Sequence, residues 1–118
     1  MSALAILIID DDRDVAESLA DFFAIQGQRV DIAATSRDGL SAVGGKDYDA
    51  VLLDVGLPDM NGVATSKAIK ALKPDTRTVL MTGYSRYTLE NEYSLDDSSL
   101  VMTKPLDLDK LTGWLAAG

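Results

Sequence analysis

Two stretches of the chain are unbroken aliphatic runs that stop abruptly on acids: Ala3 to Ile9 leads into Asp10, Asp11 and Asp12, and Ala50 to Leu53 leads into Asp54. Runs without alternation mark strands buried on both faces. Between them the spacing changes to a helical one. Val15, Leu19, Phe22 and Phe23 recur at helical intervals and predict a helix over Arg13 to Gln26, stopped by Gly27. Arg29 to Ala34 reads as a short second strand. Thr35 with Asp38 resembles a capping box that opens a short helix ending at Gly44-Gly45. After the Ala50 strand, Gly56, Pro58, Asp59, Asn61 and Gly62 predict a turn-rich loop. A helix then runs to about Leu72, with Val63, Ile69 and Leu72 expected to face inward. Thr78 to Met81 and Leu100 to Met102 read as strands four and five, and Leu108, Leu111 and Leu115 set the stripe of a last helix. Ser85 to Ser99 carries no clear helical signal.

Strands alternating with helices imply an α/β architecture, a five-stranded parallel sheet with helices on both faces, because parallel strands need long right-handed crossovers. Residues 1–118 are expected to form one domain, without repeat, linker or low-complexity tract. Ligands of such sheets bind beyond the carboxyl ends of the strands, where the strand order switches. The residues there are Asp10 and Asp11, then Asp54, then Thr82, then Lys104.

Composition narrows the chemistry. No stretch approaches the ~20 apolar residues of a membrane helix. Cysteine and histidine are both absent, which removes thiol chemistry, the usual zinc ligand and the usual general base. A net charge of −8 argues against this domain gripping a phosphate backbone and favours a bound cation or a basic partner. A cytoplasmic location is expected.

Each strand-end residue has an ordinary role available. The three consecutive aspartates complement the positive N-terminus of the following helix, and Asp12 is expected to serve as that cap. Asp54 and Thr82 suit turns, and most lysines, like Lys104, are solvated. Their joint convergence on one sheet edge is what points to a site. Clustered carboxylates without histidine or cysteine form a hard oxygen site suited to magnesium (Mg2+), which would offset the repulsion between Asp10, Asp11 and Asp54. A carboxylate can also act as a nucleophile and become an aspartyl phosphate, given positive charge around the phosphoryl oxygens. Magnesium, Lys104 and the Thr82 hydroxyl would supply it.

Asp10-Asp11 after an aliphatic strand, the block from Leu52 to Gly62 (LLDVGLPDMNG), Met81-Thr82-Gly83 and Lys104-Pro105 together resemble the receiver domain of two-component response regulators, in order and over essentially the whole chain. The resemblance implies a flavodoxin-like doubly wound fold and phosphoryl transfer from a phosphohistidine on a sensor histidine kinase or a histidine phosphotransfer protein. It implies a signalling domain that catalyses only its own phosphorylation and dephosphorylation. By position, Asp54 is then the phosphoacceptor. Asp11 and Asp54 bind magnesium through carboxylates, Gly56 through its backbone carbonyl and Asp10 through water. Thr82 and Lys104 contact the phosphoryl oxygens, and the Lys104–Pro105 bond is cis. The partner docks against the first helix and the loop after strand five, with Arg13, Ala16, Ala20 and Leu106 as exposed candidates. The aromatic residue the family carries three positions before the lysine is Val101 here. The conformational signal is therefore expected to pass through the Thr82 to Ser99 stretch, with Tyr84, Tyr87 and Tyr93 as reporters.

Other classes fit less well. An FMN-binding flavodoxin-like carrier would have to cradle a phosphate against three aspartates. A phospho-aspartate hydrolase would lack a substrate cap. A non-phosphorylated pseudo-receiver docking module would not need all five site residues. The cognate kinase and the output partner cannot be read from the residues, nor can a stand-alone regulator be told from a receiver cut from a larger protein.

Overall fold

The computed structural model describes residues 3–83 and 100–117. Their elements are β1 (Ala5–Ile9), α1 (Arg13–Ile25), β2 (Arg29–Ala33), α2 (Ser36–Gly45), β3 (Ala50–Asp54), α3 (Gly62–Leu72), β4 (Arg77–Thr82), β5 (Leu100–Thr103) and α4 (Leu108–Ala117). The strands form one parallel sheet in the order β2-β1-β3-β4-β5. The order reverses between β1 and β3, so their carboxyl ends flank the crevice where such sheets bind ligands. This is the doubly wound arrangement expected from the alternating pattern.

The aliphatic runs are buried on both faces because each face has its own helical cover. Ile6, Ile8, Leu52, Val79 and Met81 pack with Ala16, Leu19 and Phe23 of α1 and Leu111 and Leu115 of α4. Leu7, Ile9, Val51, Leu53 and Leu80 pack on the other face with Val43 of α2 and Val63 and Ile69 of α3. Strand residues one apart point to opposite faces, so a run buried on both must be apolar throughout.

Local signals explain most of the boundaries. Asp12 is the N-cap of α1, its carboxylate accepting from the Asp14 and Val15 amides. Thr35 caps α2 through the Asp38 amide and Asn61 caps α3 through the Ala64 amide. Gly27 stands at φ +89° just past α1, a backbone conformation that side chains other than glycine's disfavour.

Several expectations need correcting. The first strand begins at Ala5 rather than Ala3, and the Leu4 amide just before it bonds the Gln28 side chain instead of a neighbouring strand. β4 is a residue longer at each end and includes Thr82, and β5 reaches Thr103. Leu72 is 55% exposed, and the buried face of α3 is built with Thr65 and Ser66 beside Val63 and Ile69 instead. Tyr84, Tyr87, Tyr93 and the segment proposed to carry the signal lie outside the described residues, except for Thr82 and Gly83. No helix among the described residues is long and apolar enough to cross a membrane.

Candidate functional site

The carboxyl end of β1 delivers Asp10 into the crevice. Its amide still bonds the Ala33 carbonyl of β2, so the residue is held as an extension of the strand, and its side chain is only 1% exposed. One carboxylate oxygen, Oδ1, accepts the Asp12 amide at 2.9 Å. The other, Oδ2, is buried without a hydrogen-bond partner. A buried carboxylate oxygen in that position is costly unless a cation neutralises it. Lys104 Nζ stands 3.7 Å from it, beyond hydrogen-bonding distance. Burial, reinforced by the nearby Asp54 carboxylate, raises the Asp10 pKa above the ordinary aspartate value.

Asp54 ends β3 beside it. Its Oδ1 accepts the Gly56 amide at 3.0 Å, and its Oδ2 lies 3.5 Å from Lys104 Nζ. Asp11 is exposed on the outer side. Carboxylate oxygens of Asp10, Asp11 and Asp54 all fall within 4.8 Å of one another. The donor set is all oxygen and the buried Oδ2 lacks a partner, so these residues fit a hard divalent cation.

The opposite wall comes from β4 and β5. Thr82, 2% exposed, is the last residue of β4, and its carbonyl accepts the Lys104 amide at 2.7 Å. That bond fixes where Lys104 leaves β5. The Lys104–Pro105 peptide is cis. The Lys104 side chain is 33% exposed and forms ion pairs with both Asp10 and Asp54. The structure thus brings together Asp10, Asp11, Asp54 and Lys104, with Thr82 on the adjoining strand end and Gly56 in the loop that follows Asp54.

Other expectations shift. Ala16 is wholly buried against the sheet and cannot meet a partner, whereas Arg13 is well exposed and Ala20 half-buried. Beside the site a groove of about 660 Å³ runs between α1 and the start of α4, with Val15, Leu19, Pro105, Leu106 and Leu108 on its walls and Asp14 at its rim. Two further residues escaped the sequence reading. Asp59, read as a turn residue, clasps the N-terminus of α2, bonding the Ser36 and Arg37 amides at 3.0 Å each. Arg77, at the start of β4, grips the Trp114 and Leu115 carbonyls and stacks 3.7 Å from the Trp114 ring. Neither has a local signal, because both contacts join segments more than twenty residues apart.

The buried position of Asp10 has a measurable consequence. An acid whose folded-state pKa is raised binds its proton more readily folded than unfolded, so stability falls as pH rises from the ordinary value of 3.8 through the raised one. Above that window the full cost is present. Asp10→Asn keeps the acceptor for the Asp12 amide and removes the charge. Without metal, its melting temperature should exceed that of the parent at neutral pH, and the gap should shrink as pH falls toward 3.8. Thermal melts across pH measure this; a parent as stable as the variant at neutral pH would show that the buried charge costs nothing.

Comparison with known proteins follows the same lines. The family model described as "Response regulator receiver domain" matches residues 6–116. The chain is 36% identical over 106 residues to the transcriptional regulatory protein ZraR of Salmonella typhimurium, an alignment covering 90% of this chain but 24% of ZraR. The chain therefore spans about a quarter of that relative's length. Among solved structures, a CheY-like receiver domain protein from Methanospirillum hungatei superposes with a TM-score of 0.81 at 28% identity, covering 98% of this chain and 96% of the other. TrrA of Thermotoga maritima, solved in complex with Mg(2+)-BeF, gives a TM-score of 0.78 at 26% identity over 95% of this chain and 98% of TrrA.

Proposed function

Because the chain belongs to the response regulator receiver domain family of two-component signalling, we propose that Asp54 is its phosphoacceptor and that Asp10, Asp11, Asp54 and the Gly56 carbonyl hold magnesium beside it. The observation that carries this reading is the buried Asp10 Oδ2 without a hydrogen-bond partner, set among carboxylates that approach within 4.8 Å. On the same reading residues 1–118 act as one receiver domain at a cytoplasmic location, and the donor is a phosphohistidine of a sensor histidine kinase or histidine phosphotransfer protein.

In the transfer, a carboxylate oxygen of Asp54 attacks the phosphorus of the phosphohistidine. The phosphorus–nitrogen bond breaks, its electron pair stays on the imidazole, and an acyl phosphate forms on Asp54. Magnesium held by Asp10, Asp11, Asp54 and the Gly56 carbonyl would supply positive charge to the phosphoryl oxygens. Lys104, already 3.5 Å from Asp54 Oδ2, transfers its ion pairing from the carboxylate to the phosphoryl group. The Thr82 hydroxyl donates to another phosphoryl oxygen. The Gly56 amide, bonded to Asp54 Oδ1, keeps the carboxylate oriented before and after transfer. The chain acts on no substrate other than itself, so its output is a change of partner binding rather than product release.

The groove beside the site gives the kinase a place to dock. Its lining is largely apolar, with Asp14 and Lys104 the charged residues on it, and the chain carries a net charge of −8, so a helix with an apolar stripe and basic flanks fits it. Transfer from a panel of phosphorylated histidine kinases tests the function directly: label should move to this chain only with magnesium present. With the preferred kinase, Leu106→Ala combined with Asp14→Lys should slow transfer by about tenfold or more. Labelling by a small phosphodonor such as acetyl phosphate should stay within about twofold, since neither residue touches the acids. Equal losses with both donors would count against the groove as the docking surface.

A further inference from the structure

The loop between β3 and α3 carries Gly56, is fixed to the sheet at its start and closes on its own first residue at its end. The Val55 amide donates to the Met81 carbonyl at 3.0 Å, and the Gly62 amide closes back on the Val55 carbonyl at 2.9 Å. Val55 and Leu57 are buried on either side of the exposed Gly56. The far side of the loop is held differently, by a helix that takes no part in the site. Asp59 Oδ1 accepts the Ser36 amide and Oδ2 the Arg37 amide, so both carboxylate oxygens sit on the first turn of α2. Those amides have no partner within the helix, and the positive end of the helix dipole favours the carboxylate. The same two bonds hold the Asp59 pKa below the ordinary aspartate value. A buried hydroxyl pair continues the clasp: Ser36 Oγ lies 2.8 Å from Thr65 Oγ1 and also reaches the Met60 carbonyl, while Thr65 Oγ1 donates to the Asn61 carbonyl.

We propose that Asp59 is a positioning residue for the metal site, holding the loop that presents the Gly56 carbonyl by anchoring it to the N-terminus of α2. The proposal rests on the assignment of that carbonyl as a magnesium ligand. Only Leu57 and Pro58 separate Gly56 from Asp59 along the chain, few enough that release of the carboxylate frees the peptide units between them. The exposed carboxylate itself does not touch the acids of the site. Its effect must travel through the loop backbone. Two properties follow. Loss of the clasp should weaken metal binding without removing any ligand. Metal binding should in turn be felt at the Ser36 and Arg37 amides, because a coupling between two sites is reciprocal.

The test compares the parent chain with Asp59→Ala and Asp59→Asn, all at a temperature well below each melting midpoint. Magnesium affinity is read by calorimetric titration, and the Ser36 and Arg37 amides are followed by NMR. Asp59→Ala should raise the magnesium Kd by about tenfold, the scale typical of partners that orient a ligand without binding the metal. Saturating magnesium should restore its labelling rate with acetyl phosphate to within about twofold of the parent. Asp59→Asn, isosteric and still able to accept one of the two amides, should fall between the two proteins. In the parent, magnesium should shift the Ser36 and Arg37 amide signals; in Asp59→Ala that response should vanish. A lowered melting midpoint with an unchanged Kd would reduce Asp59 to a stabilising cap and overturn the proposal. Absence of magnesium binding in the parent would overturn the metal site itself, and the proposal with it.

Discussion

Asp54→Asn should abolish magnesium-dependent labelling by acetyl phosphate, while the folded protein keeps its melting temperature or gains slightly. The asparagine keeps the oxygen that accepts the Gly56 amide at 3.0 Å, so the loop stays in register. It removes the anionic nucleophile and one of the three carboxylates gathered within 4.8 Å. It also relieves like-charge repulsion with Asp10, which contributes to the raised pKa of that residue. No neighbour can replace it. Asp10 is buried with one oxygen committed to the Asp12 amide, and Asp11 is exposed, whereas Asp54 and Asp10 are the two acids paired with Lys104. The loss should exceed about a hundredfold, the scale expected when a nucleophile is removed rather than mispositioned. Electrophoresis of the labelled proteins measures it, and retained labelling would mean that another residue accepts the phosphoryl group.

The second large effect belongs to a residue that touches no ligand. Gly62→Ala would place a methyl group 2.5 Å from the Val55 Cα and 2.6 Å from the Asp54 carbonyl oxygen. Both neighbours are backbone, so no side-chain rotation relieves the contact. Either α3 draws back, breaking the Gly62-to-Val55 hydrogen bond, or the β3 end moves and takes Asp54 with it. Overpacking of this kind costs on the order of 1–3 kcal/mol or more, a fall in Tm of roughly 5–15 °C for a chain of this size. The consequence for the site should be larger than for the fold. Magnesium at a hundredfold excess over its Kd should stabilise the parent by about 2.7 kcal/mol, and the variant should lose most of that increment. Melting with and without magnesium measures both effects; a variant that melts like the parent in both conditions would refute the tight-approach argument.

The sheet and the strand-end site were legible because both depend on short-range patterns. A strand buried on two faces has to be apolar at every position, and Ala50 to Leu53 and Ile6 to Ile9 show it. The acids that follow them fall at the carboxyl ends by chain order alone. Where the reading failed, small or polar residues replaced large apolar ones at the interface. Ala16 shares the stripe of Leu19 and Phe23 at positions three and seven on, but a methyl side chain adds little to the hydrophobic pattern and its place passed for surface. The buried face of α3 uses Thr65 and Ser66, the Thr65 hydroxyl being satisfied by Ser36 across the α2–α3 contact and by the Asn61 carbonyl, so the pattern pointed wrongly to Leu72. Asp59 and Arg77 were beyond reach for a different reason. Their roles are set by which helix end the fold brings to them, and turn propensity or charge says nothing about that.

The central claim, that Asp54 accepts the phosphoryl group in a magnesium-bearing acidic pocket, is tested most directly by locating the group. The chain is incubated with acetyl phosphate with and without magnesium, digested at low temperature, and mapped by tandem mass spectrometry. The account predicts a single phosphoryl addition, on Asp54, that requires magnesium. Addition at any other residue, or equal addition after chelation of the metal, would contradict it.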